Sequence, residues 1–315
     1  LARLGKVRVS YPGGCDIGLR PIDLHLKGLK AMGAVFEESH GHITAETTDW
    51  RGVDIHLDMP SVGATENIMM GAALAQGITV IRNAAKEPEI VDLQSFLNAM
   101  GARIKGAGTD VIRVEGVKSL RGSEYAVMPD RIEVGTFMVA AAITSGEIYI
   151  SNATAEHVQA VTSKLREVGC KVSIMQKGLT VKGPGRCKPT DLKTLPYPGF
   201  PTDMQPQMMA LLSIAEGTSV VSETIFESRF KQAEELGRMG AKIRTEGRTA
   251  IIKGVSKLSG AHVQATDLRS GASLVLAGLC AEGQTLVSGI SKLDRGYEGF
   301  ETKLMNLGAS VARQK

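Results

Sequence analysis

Hydrophobic and polar positions follow a repeating order along the chain. Each stretch of helical hydrophobic spacing closes on an aliphatic residue or Met, then Gly, then a small residue, as in AMGAVF, AMGARI, EVGCKV, RMGAKI and NLGASV. The glycines are Gly33, Gly101, Gly169, Gly240 and Gly308, spaced by 68, 68, 71 and 68 residues. A second glycine marks each later unit, closing a helix before a strand: Gly77, Gly146, Gly217 and Gly283. Each complete unit then reads as an apolar helix, a β-branched strand, a second amphipathic helix ending at the second glycine, and further strands such as DVIRVEGV or AIIKGV. This is an α/β module. A unit near 68 residues exceeds the roughly 20 to 50 residues of solenoid repeats, so compact lobes are expected instead.

In the first unit KVRVS predicts a strand with no helix before it, and residue 1 is Leu, so at least one helix is expected upstream of residue 1. At 315 residues two domains are expected.

Sixteen residues before each second-type glycine stand Ser61, Asp130, Pro201 and Asp267, in segments rich in Ser, Thr and Asp. Such residues cap helix N-termini. If neighbouring modules aim these ends at one place, their free N–H groups favour an anion, so a phosphorylated or carboxylated ligand is expected; ordinary capping is the plainer reading of each alone.

Candidate chemistry gathers at four points. Cys15 lies on a loop with Gly13, Gly14 and Arg20, where a nearby guanidinium can lower a thiol pKa, although a buried or incidental cysteine is the more usual reading. Asp203 in FPTDMQ reads as an N-cap or a general base. TDLR, with Asp267 and Arg269, and LDRGYE, with Asp294 and Arg295, suit anion recognition or plain surface ion pairing.

Composition removes other classes. The charge of +4 is spread along the chain without a basic, aromatic-laced block, so nucleic acid is an unlikely partner. No run approaches the roughly 18 apolar residues of a membrane span and no secretory leader is evident, so a cytoplasmic address is expected. Cys15, Cys170, Cys187 and Cys280 are far apart and read as free thiols. The histidines show no zinc spacing, HGH (residues 40–42) reads as a turn between strands, and DMQPQMMALL reads as core filling. Gly-rich nucleotide motifs are absent too; no metal or other cofactor is expected.

The stretches PGGCDIGLRPIDLH, SVGATENIM, KEPEIVDL, PDRIEVGTF, FPTDMQ, ETIFESRF, ATDLRSGASLVLAG and DRGYE make the whole chain resemble the UDP-N-acetylglucosamine 1-carboxyvinyltransferase (enolpyruvyl transferase) family. The resemblance implies a two-lobed, inside-out α/β barrel of six such modules, with residues 1–129 as an incomplete first lobe and 130–315 as the second. It also implies that roughly 100 residues precede this sequence when six units are laid over the observed period. The family's Lys-Asn pair and a further arginine would lie there, so the 315-residue chain alone is expected to be weakly active or inactive.

The implied reaction adds the enolpyruvyl group of phosphoenolpyruvate to the 3′-hydroxyl of UDP-N-acetylglucosamine and releases phosphate, the first committed step of peptidoglycan synthesis and hence of cell-wall building. By resemblance Cys15 is the proton donor and the target of fosfomycin, Asp203 the base at the 3′-hydroxyl, Arg295 a phosphoenolpyruvate arginine with Arg20 a second candidate, and Asp267 a supporting acid. Arg20, Pro21, Ile22, Asp23 and Leu24 resemble the uridine and phosphate segment, Ser61, Val62 and Gly63 a diphosphate turn, and Ile225 a backbone contact to the nucleotide. The alternatives are a 5-enolpyruvylshikimate-3-phosphate synthase-like transferase and a non-catalytic paralogue that binds the sugar nucleotide. Oligomeric state is not legible in the sequence.

Overall fold

The computed structural model describes residues 1–11 and 22–314, and Cys15, Arg20 and Pro21 lie outside them. The described residues fall into two compact units, one running to Met128 and the other beginning at Pro129.

The first unit opens with β1 (Lys6–Ser10), α1 (Asp23–Ala31), β2 (Val35–Ser39) and β3 (His42–Glu46), an antiparallel sheet in the order β1-β3-β2. KVRVS is therefore a strand. His40 and Gly41, both at positive φ, make the tight β2–β3 turn, so the HGH stretch is a hairpin connection with His42 opening β3. A full module follows: β4 (Asp54–His56), α2 (Val62–Ala72), β5 (Ile78–Arg82), α3 (Pro88–Ala99), β6 (Arg103–Lys105) and β7 (Val111–Glu115). Its strands run β4-β5-β7-β6, with β4 parallel to β5 and the other pairs antiparallel.

The second unit repeats the plan. Its elements are α4 (Arg131–Ile143), β8 (Glu147–Ser151), α5 (Gln159–Glu167), β9 (Lys171–Met175), β10 (Gly178–Lys182), β11 (Leu192–Lys193), α6 (Gln205–Leu212), β12 (Thr218–Ser222), α7 (Gln232–Arg238), β13 (Lys242–Glu246), β14 (Thr249–Lys253), β15 (His262–Gln264), α8 (Leu268–Cys280), β16 (Leu286–Ser288) and α9 (Phe300–Asn306). The order β11-β12-β14-β13 reproduces that of the complete module, whereas β8-β10-β9 has no leading parallel strand and β15-β16 stands as a parallel pair.

Strands bury alternate residues, as in the exposed-buried alternation of β5 and β7, because one face of each sheet packs inward. The inner helices are apolar all round: α4 buries eleven of its thirteen residues and α6 all eight. In the second unit α4, α6 and α8 pack on one another with the sheets outside them, the inside-out order expected. The sheets remain separate and are not joined into one closed barrel among the described residues. Met204, Met208 and Met209 are fully buried, so the Met-rich run fills core.

The roles of the two glycine series differ from expectation. Apolar helices α2, α4, α6 and α8 end near Gly77, Gly146, Gly217 and Gly283, while amphipathic α3, α5, α7 and α9 end at Gly101, Gly169, Gly240 and Gly308. The latter four all stand at φ between 91° and 104°, a left-handed helix stop that glycine adopts without a Cβ clash. At the α4 end the left-handed residue is Ser145 (φ 54°) rather than Gly146, which instead sits where a Cβ would meet the Thr144 hydroxyl at 3.1 Å.

Candidate active site

Three of the four expected helix starts are caps in fact. Ser61 Oγ accepts from Ala64 N at 3.3 Å, Asp130 Oδ1 accepts from Ile132 and Glu133 N at 2.7 and 3.1 Å, and Asp267 Oδ1 accepts from Arg269 and Ser270 N at 2.9 and 3.1 Å. The capping carboxylate of Asp267 also takes the Thr266 hydroxyl on its other oxygen at 3.2 Å. Pro201 instead begins a short 3-10 turn, Thr202–Met204, ahead of α6.

Asp203 sits in that turn and caps nothing. Arg229 Nη2 donates to its Oδ1 at 2.8 Å, and Arg269 Nε and Nη2 donate to its Oδ2 at 3.1 and 3.0 Å. The helix starts of α6 and α8 thus meet across one carboxylate. Burial by itself would raise the Asp203 pKa, but the two guanidinium charges outweigh it and hold the carboxyl below the usual range. The group is ionised at neutral pH, with part of its side chain still open to solvent at 37%.

Two buried cations on one anion leave an excess positive charge. Arg229 Nε and Nη1 and Arg269 Nη1 are buried and meet no partner among the described residues. Buried guanidinium donors without acceptors are costly, and an anionic ligand group satisfies them. Neither arginine was a candidate for this role in the sequence beyond the TDLR pairing. Arg229 lies 26 residues from Asp203 and Arg269 66 residues away, so no local pattern joins them.

The loop leading to Arg229 is organised by Glu223, which is 1% exposed at the end of β12. Its carboxylate accepts from the Thr194 and Thr202 hydroxyls at 2.8 and 2.9 Å and from the backbone N–H groups of Ile225 and Phe226 at 2.8 and 3.2 Å. The Ile225 N–H is therefore occupied.

Arg295 ends a 3-10 turn, Ile290–Arg295, with an exposed side chain. Its neighbour Asp294 is paired with Arg313, which also reaches Glu301 and holds the Asp294 carboxyl below its ordinary pKa. LDRGYE thus contributes the Asp294–Arg313 ion pair at the surface and the buried ring of Tyr297.

In the first unit Ile22 is the N-cap of α1, Asp23 lies in its first turn and Leu24 is buried. The helix they open, α1, packs on α2, whose start carries Ser61, Val62 and Gly63. Gly28 permits that approach: a Cβ there would stand 2.3 Å from Ile68 Cδ1. A Cβ on Gly63 would likewise stand 2.9 Å from His25 Nε2. His25, which the sequence did not single out, therefore faces the α2 start; burial lowers its pKa against a weaker opposing pull from Asp23, favouring the neutral ring.

Cys170, Cys187 and Cys280 are free, and burial pushes their thiols up to about 12, 11 and 11, so none is a ready nucleophile. Among the described residues no three His, Cys, Asp or Glu side chains gather as metal ligands, and no helix is long and apolar enough to cross a membrane.

Comparison with known proteins gives a consistent picture. The family model for EPSP synthase (3-phosphoshikimate 1-carboxyvinyltransferase) matches residues 1–304. UDP-N-acetylglucosamine 1-carboxyvinyltransferase 1 of Symbiobacterium thermophilum is 60% identical over 314 residues, covering 99% of this chain and 71% of the relative. The protein of that name from Caldanaerobacter subterraneus subsp. tengcongensis is 59% identical, covering 100% and 76%. Among solved structures, the enolpyruvyl transferase NikO from Streptomyces tendae superposes with a TM-score of 0.88 at 24% identity over 99% of this chain and 75% of that one. An EPSP synthase from Acinetobacter baumannii superposes with a TM-score of 0.72 at 21% identity over 96% and 74%. Those two share the fold; the identity of about three residues in five with the first two goes further, and on it the chain belongs to the UDP-N-acetylglucosamine 1-carboxyvinyltransferase family.

Proposed function

We propose that this chain is a transferase that moves the enolpyruvyl group of phosphoenolpyruvate onto the 3′-hydroxyl of UDP-N-acetylglucosamine and releases phosphate, the first committed step of cytoplasmic peptidoglycan synthesis. The observation that carries the reading is the Asp203 carboxylate, kept ionised between two arginines whose remaining buried N–H groups lack acceptors among the described residues. A base for a sugar hydroxyl must be ionised at neutral pH, and a trianionic co-substrate needs cations beside it.

In this reading Asp203 takes the 3′-hydroxyl proton as the sugar oxygen bonds to C2 of phosphoenolpyruvate, while Cys15 delivers a proton to C3. The product of this addition is a tetrahedral ketal. Loss of a proton from C3 then re-forms the double bond as phosphate leaves C2. A carboxylate with a depressed pKa is a modest base, yet the hydroxyl proton becomes strongly acidic as its oxygen bonds to an electron-poor carbon, so ionisation matters more than basicity. Arg295, with Arg20 as a second group, is assigned to phosphoenolpyruvate, and Asp267 supports this chemistry by fixing the start of α8 from which Arg269 projects. Arg20, Pro21, Ile22, Asp23 and Leu24, together with Ser61, Val62, Gly63 and Ile225, are assigned to the sugar nucleotide.

Phosphate release distinguishes the substrates. The protein in its full natural length is expected to release phosphate from phosphoenolpyruvate with UDP-N-acetylglucosamine and not with shikimate 3-phosphate. The reverse pattern overturns the reading in favour of the shikimate-type transferase, and tight UDP-N-acetylglucosamine binding with no turnover favours a binding paralogue.

A further inference from the structure

Behind the Asp203 clamp lies a buried polar group that the reaction as derived does not use. Tyr297 is 1% exposed, and its ring centroid lies 5.3 Å from the Arg269 guanidinium carbon. Its hydroxyl is 2.9 Å from the Thr136 hydroxyl and accepts from Gln207 Nε2 at 3.2 Å; the same Gln207 nitrogen donates to Thr136 at 3.1 Å. Thr136 and Gln207 are themselves 0% exposed. Thr136 is on α4, Gln207 on α6 and Arg269 on α8, so one ring ties the three inner helices together at the arginine that grips Asp203.

The chain of contacts has a direction. One hydroxyl, of Thr136, and one amide, of Gln207, pin the ring, the ring carries the guanidinium plane, and the guanidinium presents Nε and Nη2 together to one carboxylate oxygen. A two-pronged contact of this kind tolerates little rotation of the plane. Phe300 packs against the Tyr297 ring itself, with centroids 4.9 Å apart, and further fixes it. Buried hydroxyl and amide groups cost stability unless they are hydrogen-bonded; here the three bond to one another, and such a buried network is rigid.

We propose that Tyr297, pinned by Thr136 and Gln207, is a positioning residue for the transfer: it sets the Arg269 guanidinium that aligns the Asp203 carboxylate. It acts through Arg269 and touches no substrate. The proposal deepens the reading of Asp203 as the base and rests on it.

Steady-state kinetics of Tyr297→Phe and Tyr297→Leu in the full-length protein test it, with phosphate release as the readout. Phe keeps the ring and loses its anchor; Leu removes the ring. The expected order of kcat is wild type, then Phe, then Leu, with the Leu variant down on the order of 100-fold, the scale reached when a reacting group is displaced by about 1 Å. KM for UDP-N-acetylglucosamine is expected to stay within about twofold, because the nucleotide contacts are untouched. A purely structural ring would lower the melting temperature and leave kcat of the folded fraction unchanged, and that result, or a loss confined to KM, overturns the proposal. Should the Leu variant not fold, the near-isosteric Thr136→Val decides alone: kcat is expected to fall several-fold at constant KM, and wild-type kcat overturns the proposal. Absence of phosphate release from the full-length wild-type protein would instead sink the reading of the function, so the two failures are distinguishable.

Discussion

At the scale of single residues, charge placement decides what each candidate can do. Asp203 could have been one more cap, as Asp130 and Asp267 are; three guanidinium N–H bonds make it a fixed anion instead. Replacing Asp203 with Asn is expected to lower kcat by roughly 100- to 10,000-fold, the usual contribution of a general base, while calorimetric binding of UDP-N-acetylglucosamine changes little. Near-normal turnover would remove Asp203 from the mechanism. His25 supports a pH prediction of the opposite chemical type. Its folded pKa lies below its ordinary value, so in the window between the two the unfolded chain binds the proton and the folded chain does not. Stability is therefore expected to fall as pH drops below about 6.5, the ordinary histidine value, and to stop responding to this group once its folded pKa is passed. In His25→Gln that component of the melting-temperature profile is expected to vanish; an unchanged slope across the window would show that His25 is not its source.

Elements repeat because each ends in a way the chain can write locally. The period of the glycines was readable since a left-handed stop after α3, α5, α7 and α9 needs glycine, and Ser61, Asp130 and Asp267 announced helix starts through their own side chains. Which helix each glycine closed was not readable, as apolar and amphipathic helices alike end on glycine. Nor were the partners of Asp203: Arg229, Arg269 and, behind them, Tyr297 are brought in by packing of α6 and α8, and no spacing encodes that. A quieter repeat lies in the glycines that follow the last strands. Gly116 and Gly254, after β7 and β14, stand where a Cβ would lie 1.6 Å from the Ala75 carbonyl oxygen and 1.7 Å from that of Ala215. These are main-chain atoms and cannot step aside. Gly254→Ala is expected to cost about 2 kcal/mol or more by overpacking. Gly237 offers the contrast inside α7, where a Cβ meets nothing within 4 Å. There alanine is expected to stabilise by about 0.5 to 1 kcal/mol through helix propensity. Denaturant midpoints of both variants check the pair, and equal shifts would show that backbone approach is not what keeps glycine at 254.

For the molecule as a whole, the two units each bury their own core. Ile55, Ile68, Ile81, Ile90 and Ile112 belong to one hydrophobic cluster, and Met138, Leu165, Leu211, Leu236 and Leu276 to another, with no shared member. The second is the larger and is centred on α4, α6 and α8, the helices that also carry Thr136, Gln207 and Arg269. Stability and site geometry in that unit therefore rest on the same helix junction, while the α1–α2 pair depends on the other cluster. Leu211 is fully buried in α6, and truncation to Ala is expected to cost roughly 2 to 5 kcal/mol, combining lost transfer energy with a cavity that close-packed neighbours fill poorly. If the cores are energetically separate, the loss is local. Hydrogen exchange of Leu211→Ala is then expected to speed up at the amides of α4, α6 and α8 while β5 and β7 of the first unit keep their protection. Ile112→Ala is expected to give the mirror image. Uniform loss of protection across both units in either variant would show instead that the chain unfolds as one cooperative body.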